Sequence, residues 1–119
     1  LLGTKYSFDF KDKILFIEDI GEKFYALDRM IMSLELAGVF RKIKGLIVGG
    51  MTLMEDEKEN MNYEESFDEF SYKLIAERVS KYDFPVIFGF PNGHIYDNRP
   101  LIIGATISMT VGKKVEVKF

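Results

Sequence analysis

One imidazole serves the whole chain. His94 is the only histidine, and it closes the run Phe88-Gly89-Phe90-Pro91-Asn92-Gly93-His94. An imidazole takes up and releases protons near neutral pH, which makes it the natural general base or acid. Glu18 stands in a comparable setting, directly after the apolar stretch Ile14-Leu15-Phe16-Ile17. A carboxylate beside an imidazole fixes its tautomer and stabilises its protonated form, the orienting role in nucleophilic triads. From the residues alone other readings stay open. A histidine after a strand also serves as an ordinary loop or capping residue. Asp19, Glu22 and Asp28 lie close to Glu18 and compete with it, and polar residues in that turn could cap the helix that follows.

No nucleophile accompanies the pair. Ser7, Ser33, Ser66, Ser71, Ser80 and Ser108 all lie outside any Gly-x-Ser-x-Gly elbow. Ser33, Ser66, Ser71 and Ser80 fall on or beside expected helices and read as exposed surface or capping residues. The dinucleotide and Walker glycine fingerprints are absent. Gly45, Gly49 and Gly50 read as strand-end packing, where a backbone turns or comes close to something, rather than as a phosphate cradle. With no cysteine and one histidine, no ligand spacing supports a metal site, so neither metal nor cofactor is expected.

The elements that must position His94 and Glu18 are legible as hydrophobic patterns. Lys13 to Ile17 reads as a buried strand ending at Glu18-Asp19. Leu27, Met30, Ile31 and Leu34 fall on one face of a helix spanning Phe24 to Ala37, with Gly38 placed to end it. Lys44 to Gly50 is a second buried strand. A long polar loop covers residues 51–64. A helix from Glu65 to about Lys81 should turn Phe67, Phe70, Leu74 and Ile75 inward, and Pro85 to Phe90 forms a third strand. Leu101 to Thr110 and Val115 to Phe119, joined at Gly112-Lys113-Lys114, carry a hairpin signal. The expected fold is α/β, with a mostly parallel β-α-β-α-β core and a C-terminal β-hairpin. Ligand sites in such sheets gather beyond the carboxyl ends of the strands, where both candidates stand.

Composition bounds the rest. The 119 residues suit one domain, and eleven Phe and six Tyr supply a core. No window is long and apolar enough for a membrane span, and the first residues lack the features of a signal peptide. The absence of cysteine fits a reducing compartment. The net charge of −3 and the lack of a basic patch argue against a nucleic-acid partner. Eight of the nineteen acids sit between Glu55 and Glu69 and read as a solvated loop running into a helix start. The EF-hand spacing of a calcium loop is missing there. Leu1-Leu2-Gly3-Thr4 reads like the middle of a longer protein.

The sequence also resembles a known family. Ile14 to Glu22, Tyr25, Asp28-Arg29-Met30, Leu34, Leu36 to Phe40, Gly45 to Gly49, Pro85-Val86, Gly89 to His94, Pro100-Leu101 and Gly104 to Thr106 look, in order, like the C-terminal domain of the LD-carboxypeptidases. These are the muramoyltetrapeptide carboxypeptidases of the S66 serine peptidases, which also include microcin-immunity peptidases. The resemblance implies a swivelling β/β/α domain. It implies a metal-free Ser-Glu-His triad in which Glu18 and His94 are the Glu and His and the serine lies on an absent N-terminal domain. It implies removal of the terminal D-alanine from a muropeptide in peptidoglycan recycling by a cytoplasmic homodimer. It leaves two alternatives: an immunity-type peptidase acting on peptidyl-nucleotides, or a non-catalytic binding domain on the same scaffold. The loop from Met51 to Glu64 departs from the family pattern in being longer and more acidic.

Overall fold

The computed structural model describes residues 1–52, 54 and 67–119. Most of the acidic stretch noted above therefore lies outside the described residues. Three parallel strands form the centre: β1 (Ile14–Ile20), β2 (Gly45–Thr52) and β3 (Val86–Ile87), in the order β1-β2-β3. Helix α1 (Phe24–Leu36) joins β1 to β2, and α2 (Phe67–Val79) lies between β2 and β3 in the chain. Both helices pack on one face of the sheet, where Leu27 and Ile31 of α1 and Ile75 and Val79 of α2 join one core with Leu46 and Val48 of β2. A separate antiparallel pair, β4 (Ser108–Thr110) and β5 (Glu116–Lys118), follows. The expected α/β core with a C-terminal hairpin is the observed one, though β3, β4 and β5 are shorter than their apolar runs.

Alternation along the strands divides the apolar residues between two layers. Leu46 and Val48 join the helix-side core with Leu27, Ile31, Ile75 and Val79, and Leu15, Ile17 and Val86 pack against it. Phe16, Ile47 and Ile87 share a ladder row and face the other way. That second face is covered by the C-terminal segment: a side chain on Gly45 would meet Met109 Sδ at 3.0 Å.

Helix α1 stops as the sequence requires. Ala37 is its C-cap, and Gly38 follows at φ 70°, donating its N–H to the Glu35 carbonyl at 2.9 Å. Met30, expected inside, is exposed, and only Leu27 and Ile31 of its face are fully buried. Helix α2 turns Leu74 and Ile75 inward as expected but not Phe70, and the Phe67 side chain lies outside the described residues. Ser71, Ile75 and Val79 point into the core, whereas Phe70 stays half exposed and packs on Phe24 of α1 with ring centroids 4.3 Å apart. Ser71, whose sequence position suggests the surface, is fully buried, and its Oγ has no hydrogen-bond partner among the described residues. A small side chain there lets α2 settle closely on the core.

Two ion pairs tie the helices together. Arg78 donates to Asp28 Oδ1 through Nε at 3.0 Å and Nη2 at 2.7 Å. Lys81 donates to the Glu35 carboxylate, whose other neighbour is the Tyr82 hydroxyl. The Lys81 hydrogen bond and charge, helped by Tyr82, hold the Glu35 carboxyl below its ordinary value of 4.5 against the opposing effect of burial.

Candidate active site

The two residues singled out by type and position meet. His94 Nδ1 lies 2.9 Å from Glu18 Oε2. An ionised carboxylate can only accept, so the contact requires Nδ1 to carry the proton. The lone pair of Nε2 is then left for another partner. The ring is 56% exposed, whereas the Glu18 side chain is 27% exposed. The carboxylate is thus held in the wall and the imidazole stands at its mouth.

The route by which they meet differs from expectation at Glu18, and it has to cross the sheet. Glu18 does not follow β1 but lies within it. And β1 and β3 are not neighbours, because β2 runs between them. The loop after β3 must therefore cross the end of β2 to reach Glu18. A β-bulge makes this possible. The ladder pairs Ile17 with Val48 and then Asp19 with Met51, so Gly49 and Gly50 together oppose Glu18. A bulge turns consecutive residues toward the same side, and both glycines meet the crossing loop. A β-carbon on Gly49 would stand 2.4 Å from the Asn92 carbonyl oxygen, and one on Gly50 would stand 2.3 Å from Ile95 Cγ2. The loop backbone at Gly49 and the Ile95 side chain at Gly50 come so close that only hydrogen fits. The close-approach reading of these two glycines holds.

Hydrogen bonds hold the crossing in place. Phe90 N–H donates to the Val48 carbonyl at 3.1 Å, and Gly50 N–H donates to the Asn92 carbonyl at 3.0 Å. On the helix side, the Tyr72 hydroxyl donates to the Gly49 carbonyl at 3.0 Å. Gly93 adopts φ 119°, and a β-carbon there would lie 2.9 Å from Glu18 Oε2. Glycine is needed at that point both for the backbone angle and for the carboxylate. The loop then closes on itself: Asn92 Nδ2 donates to the Arg99 carbonyl at 2.6 Å, and Arg99 N–H donates to the Pro91 carbonyl at 2.8 Å.

Two of the competing carboxylates, Asp19 and Asp28, are engaged elsewhere, as is Asp97 in the loop after His94. Asp19 Oδ1 accepts the Ile20 N–H at 2.8 Å, Asp28 pairs with Arg78, and Asp97 accepts both Arg99 Nε at 3.1 Å and Nη2 at 2.8 Å. The Arg99 hydrogen bonds hold the Asp97 carboxyl below its ordinary value. Nor does this turn cap α1 with an acid, since its N-cap residue is Lys23. Ser33 Oγ donates to the Arg29 carbonyl and Ser80 Oγ to the Glu77 carbonyl, as surface helix serines do. No group of three or more potential metal-ligating side chains occurs among the described residues, and no described helix is long and apolar enough to cross a membrane.

Sequence reasoning identified the pair and missed its supports. Gly93, Ile95 and Thr52 owe their roles to contacts with residues distant in sequence, which local pattern does not reveal. A Gly-Gly step inside an apolar strand was the available signal, because glycine within a strand marks a bulge or a close backbone approach.

Comparison with known proteins identifies the family of the domain. The family profile of the LD-carboxypeptidase C-terminal domain matches residues 1–109. The Bacillus subtilis protein named "Probable murein peptide carboxypeptidase" is 30% identical over 118 residues, which are 98% of this chain and 34% of that protein. The crystal structure of muramoyltetrapeptide carboxypeptidase from Oxalobacter formigenes superposes with a TM-score of 0.71 at 28% identity, covering 98% of this chain and 38% of that one. A microcin C7 self-immunity protein in its wild-type apo state gives a TM-score of 0.57 at 24% identity over 75% of this chain and 24% of its own, a likeness of fold alone. The chain spans about a third of the length of the curated relative it matches.

Proposed function

This chain belongs to the LD-carboxypeptidase C-terminal domain family, and from that premise we propose that it supplies the general base and its orienting carboxylate to a serine carboxypeptidase. His94 is the base and Glu18 the orienter. The serine and the oxyanion donors come from an N-terminal domain outside these 119 residues. The substrate is a muropeptide tetrapeptide, and the bond cut is the one to its terminal D-alanine.

One observation carries this reading: the 2.9 Å contact between His94 Nδ1 and Glu18 Oε2, with the ring otherwise open. In the reaction, His94 Nε2 accepts the hydroxyl proton as the serine oxygen bonds to the scissile carbonyl carbon. The resulting imidazolium keeps its Nδ1–H on Glu18, whose charge stabilises it. The same proton then passes from Nε2 to the amine nitrogen of D-alanine as the C–N bond breaks. The acyl-enzyme is released by water in the reverse sense, with His94 again as base. No step needs a metal.

The exposure of the site supports a second domain. Tyr96, Ile102 and Ile103 follow His94 in the chain and are all solvent-exposed apolar side chains. A covering domain would enclose the ring and exclude water from it. The test is release of D-alanine from a tetrapeptide, compared between the 119-residue chain and the longer protein that contains it. The longer protein is expected to turn over and the isolated chain is not. Turnover by the isolated chain would overturn the assignment of the nucleophile to another domain.

A further inference from the structure

His94 is held from two directions, and only one of them is Glu18. Thr52 is the last residue of β2, paired in the ladder with Ile20, the last residue of β1. Its carbonyl accepts the N–H of Gly21 at 2.9 Å, closing the turn after the strand that bears Glu18. Its hydroxyl donates to the carbonyl of His94 at 3.0 Å. One residue thus ties the strand of the carboxylate to the backbone of the imidazole, across 42 positions of sequence. The bonds from β2 to Phe90 and Asn92 fix the loop ahead of the histidine. The Thr52 bond fixes it at the histidine itself.

The exposure of His94 makes this matter. A ring that is 56% exposed has few side-chain neighbours to set its position. Its placement depends on where its own backbone is held, and the Thr52 hydroxyl is the group that bonds the His94 carbonyl itself. We propose that Thr52 is a positioning residue: its hydroxyl holds the main chain of His94 where the ring can keep Nδ1–H on Glu18. The kinetic part of the test rests on the reading of His94 as general base; the spectroscopic part does not.

Because His94 is the only histidine, the ¹⁵N resonances of one imidazole report its tautomer without assignment. The neutral imidazole of the wild-type 119-residue chain should show the Nδ1–H tautomer. Thr52→Val keeps the shape and removes the donor. One hydrogen bond of ordinary net strength should lower the ratio of paired to unpaired ring by about two- to tenfold. Thr52→Ser should restore the wild-type spectrum and Thr52→Ala should not, so the comparison stands even where Val perturbs the strand. In the two-domain enzyme, Thr52→Val should lower kcat by the same factor with KM unchanged. An unchanged tautomer in both Thr52→Val and Thr52→Ala would overturn the proposal, as would failure of Thr52→Ser to restore it. If His94→Ala retained full turnover while the spectra behaved as described, the functional reading would fall and the positioning role would stand.

Discussion

The crossing of the His94 loop over β2 makes a strong demand at Gly49. Replacing it by alanine puts a carbon 2.4 Å from the Asn92 carbonyl oxygen and 3.0 Å from two carbons of the Phe16 ring. The first obstacle is backbone and cannot swing aside. That carbonyl is also the acceptor of the Gly50 N–H. Relieving the clash means lifting the loop by at least about 0.6 Å, the shortfall from a 3.0 Å approach that real β-carbons essentially never breach. Overpacking of this kind costs about 1–3 kcal/mol. Weakening the Gly50–Asn92 hydrogen bond adds about 1 kcal/mol. The sum, about 2–4 kcal/mol, corresponds to a fall in Tm of about 10–20 °C for a domain of this size. Gly112→Ala is the control, because nothing lies within 4 Å of its β-carbon position and its φ is not positive. It should change stability by no more than about 1 kcal/mol. Thermal unfolding of both variants followed by far-ultraviolet circular dichroism decides the matter. A Gly49→Ala chain melting within about 2 °C of wild type would mean that the loop does not press on β2, and the geometric account of the site would fail.

Other consequences are smaller and independent. Ser71→Ala removes a fully buried hydroxyl that has no partner among the described residues. It should raise stability by about 1 kcal/mol in urea unfolding, and a loss of similar size would show that Oγ is satisfied after all. Glu35 has its folded pKa depressed by Lys81, so its contribution is complete above the ordinary value of 4.5 and disappears as pH falls through the depressed value. The difference in Tm between wild type and Glu35→Gln should therefore be present at neutral pH and vanish in acid. A difference that grew on acidification would contradict the Lys81 pairing.

Much of the fold could be read from local pattern. The apolar periods of α1, the glycine after it and the buried runs at β1 and β2 each have one physical reading, and the observed elements follow them. The misreadings share a cause. Glu18 and Asp19 read as the end of β1 because charged residues rarely sit in a buried strand. Yet β1 is an edge strand, and Glu18 faces the crossing loop and its imidazole rather than apolar packing. In α2 the bulk of Phe70 suggested an inward side chain. Phe70 instead packs on Phe24 across the two helices, and the close approach to the core goes to Ser71, whose small size was read as surface character. The candidate pair was visible as two residue types beyond apolar runs. Its geometry was not, because the bulge at Gly49 and Gly50 and the Thr52 anchor are products of long-range register that short-range periodicity cannot express.

The central claim is that Glu18 and His94 form the base end of a triad completed by another domain. The direct test is kcat for D-alanine release by the two-domain protein carrying His94→Ala or, separately, Glu18→Gln. Each is expected to lower kcat by about 10²–10⁴-fold with little change in KM. A His94→Ala enzyme turning over within about threefold of wild type would show that the proton is taken elsewhere.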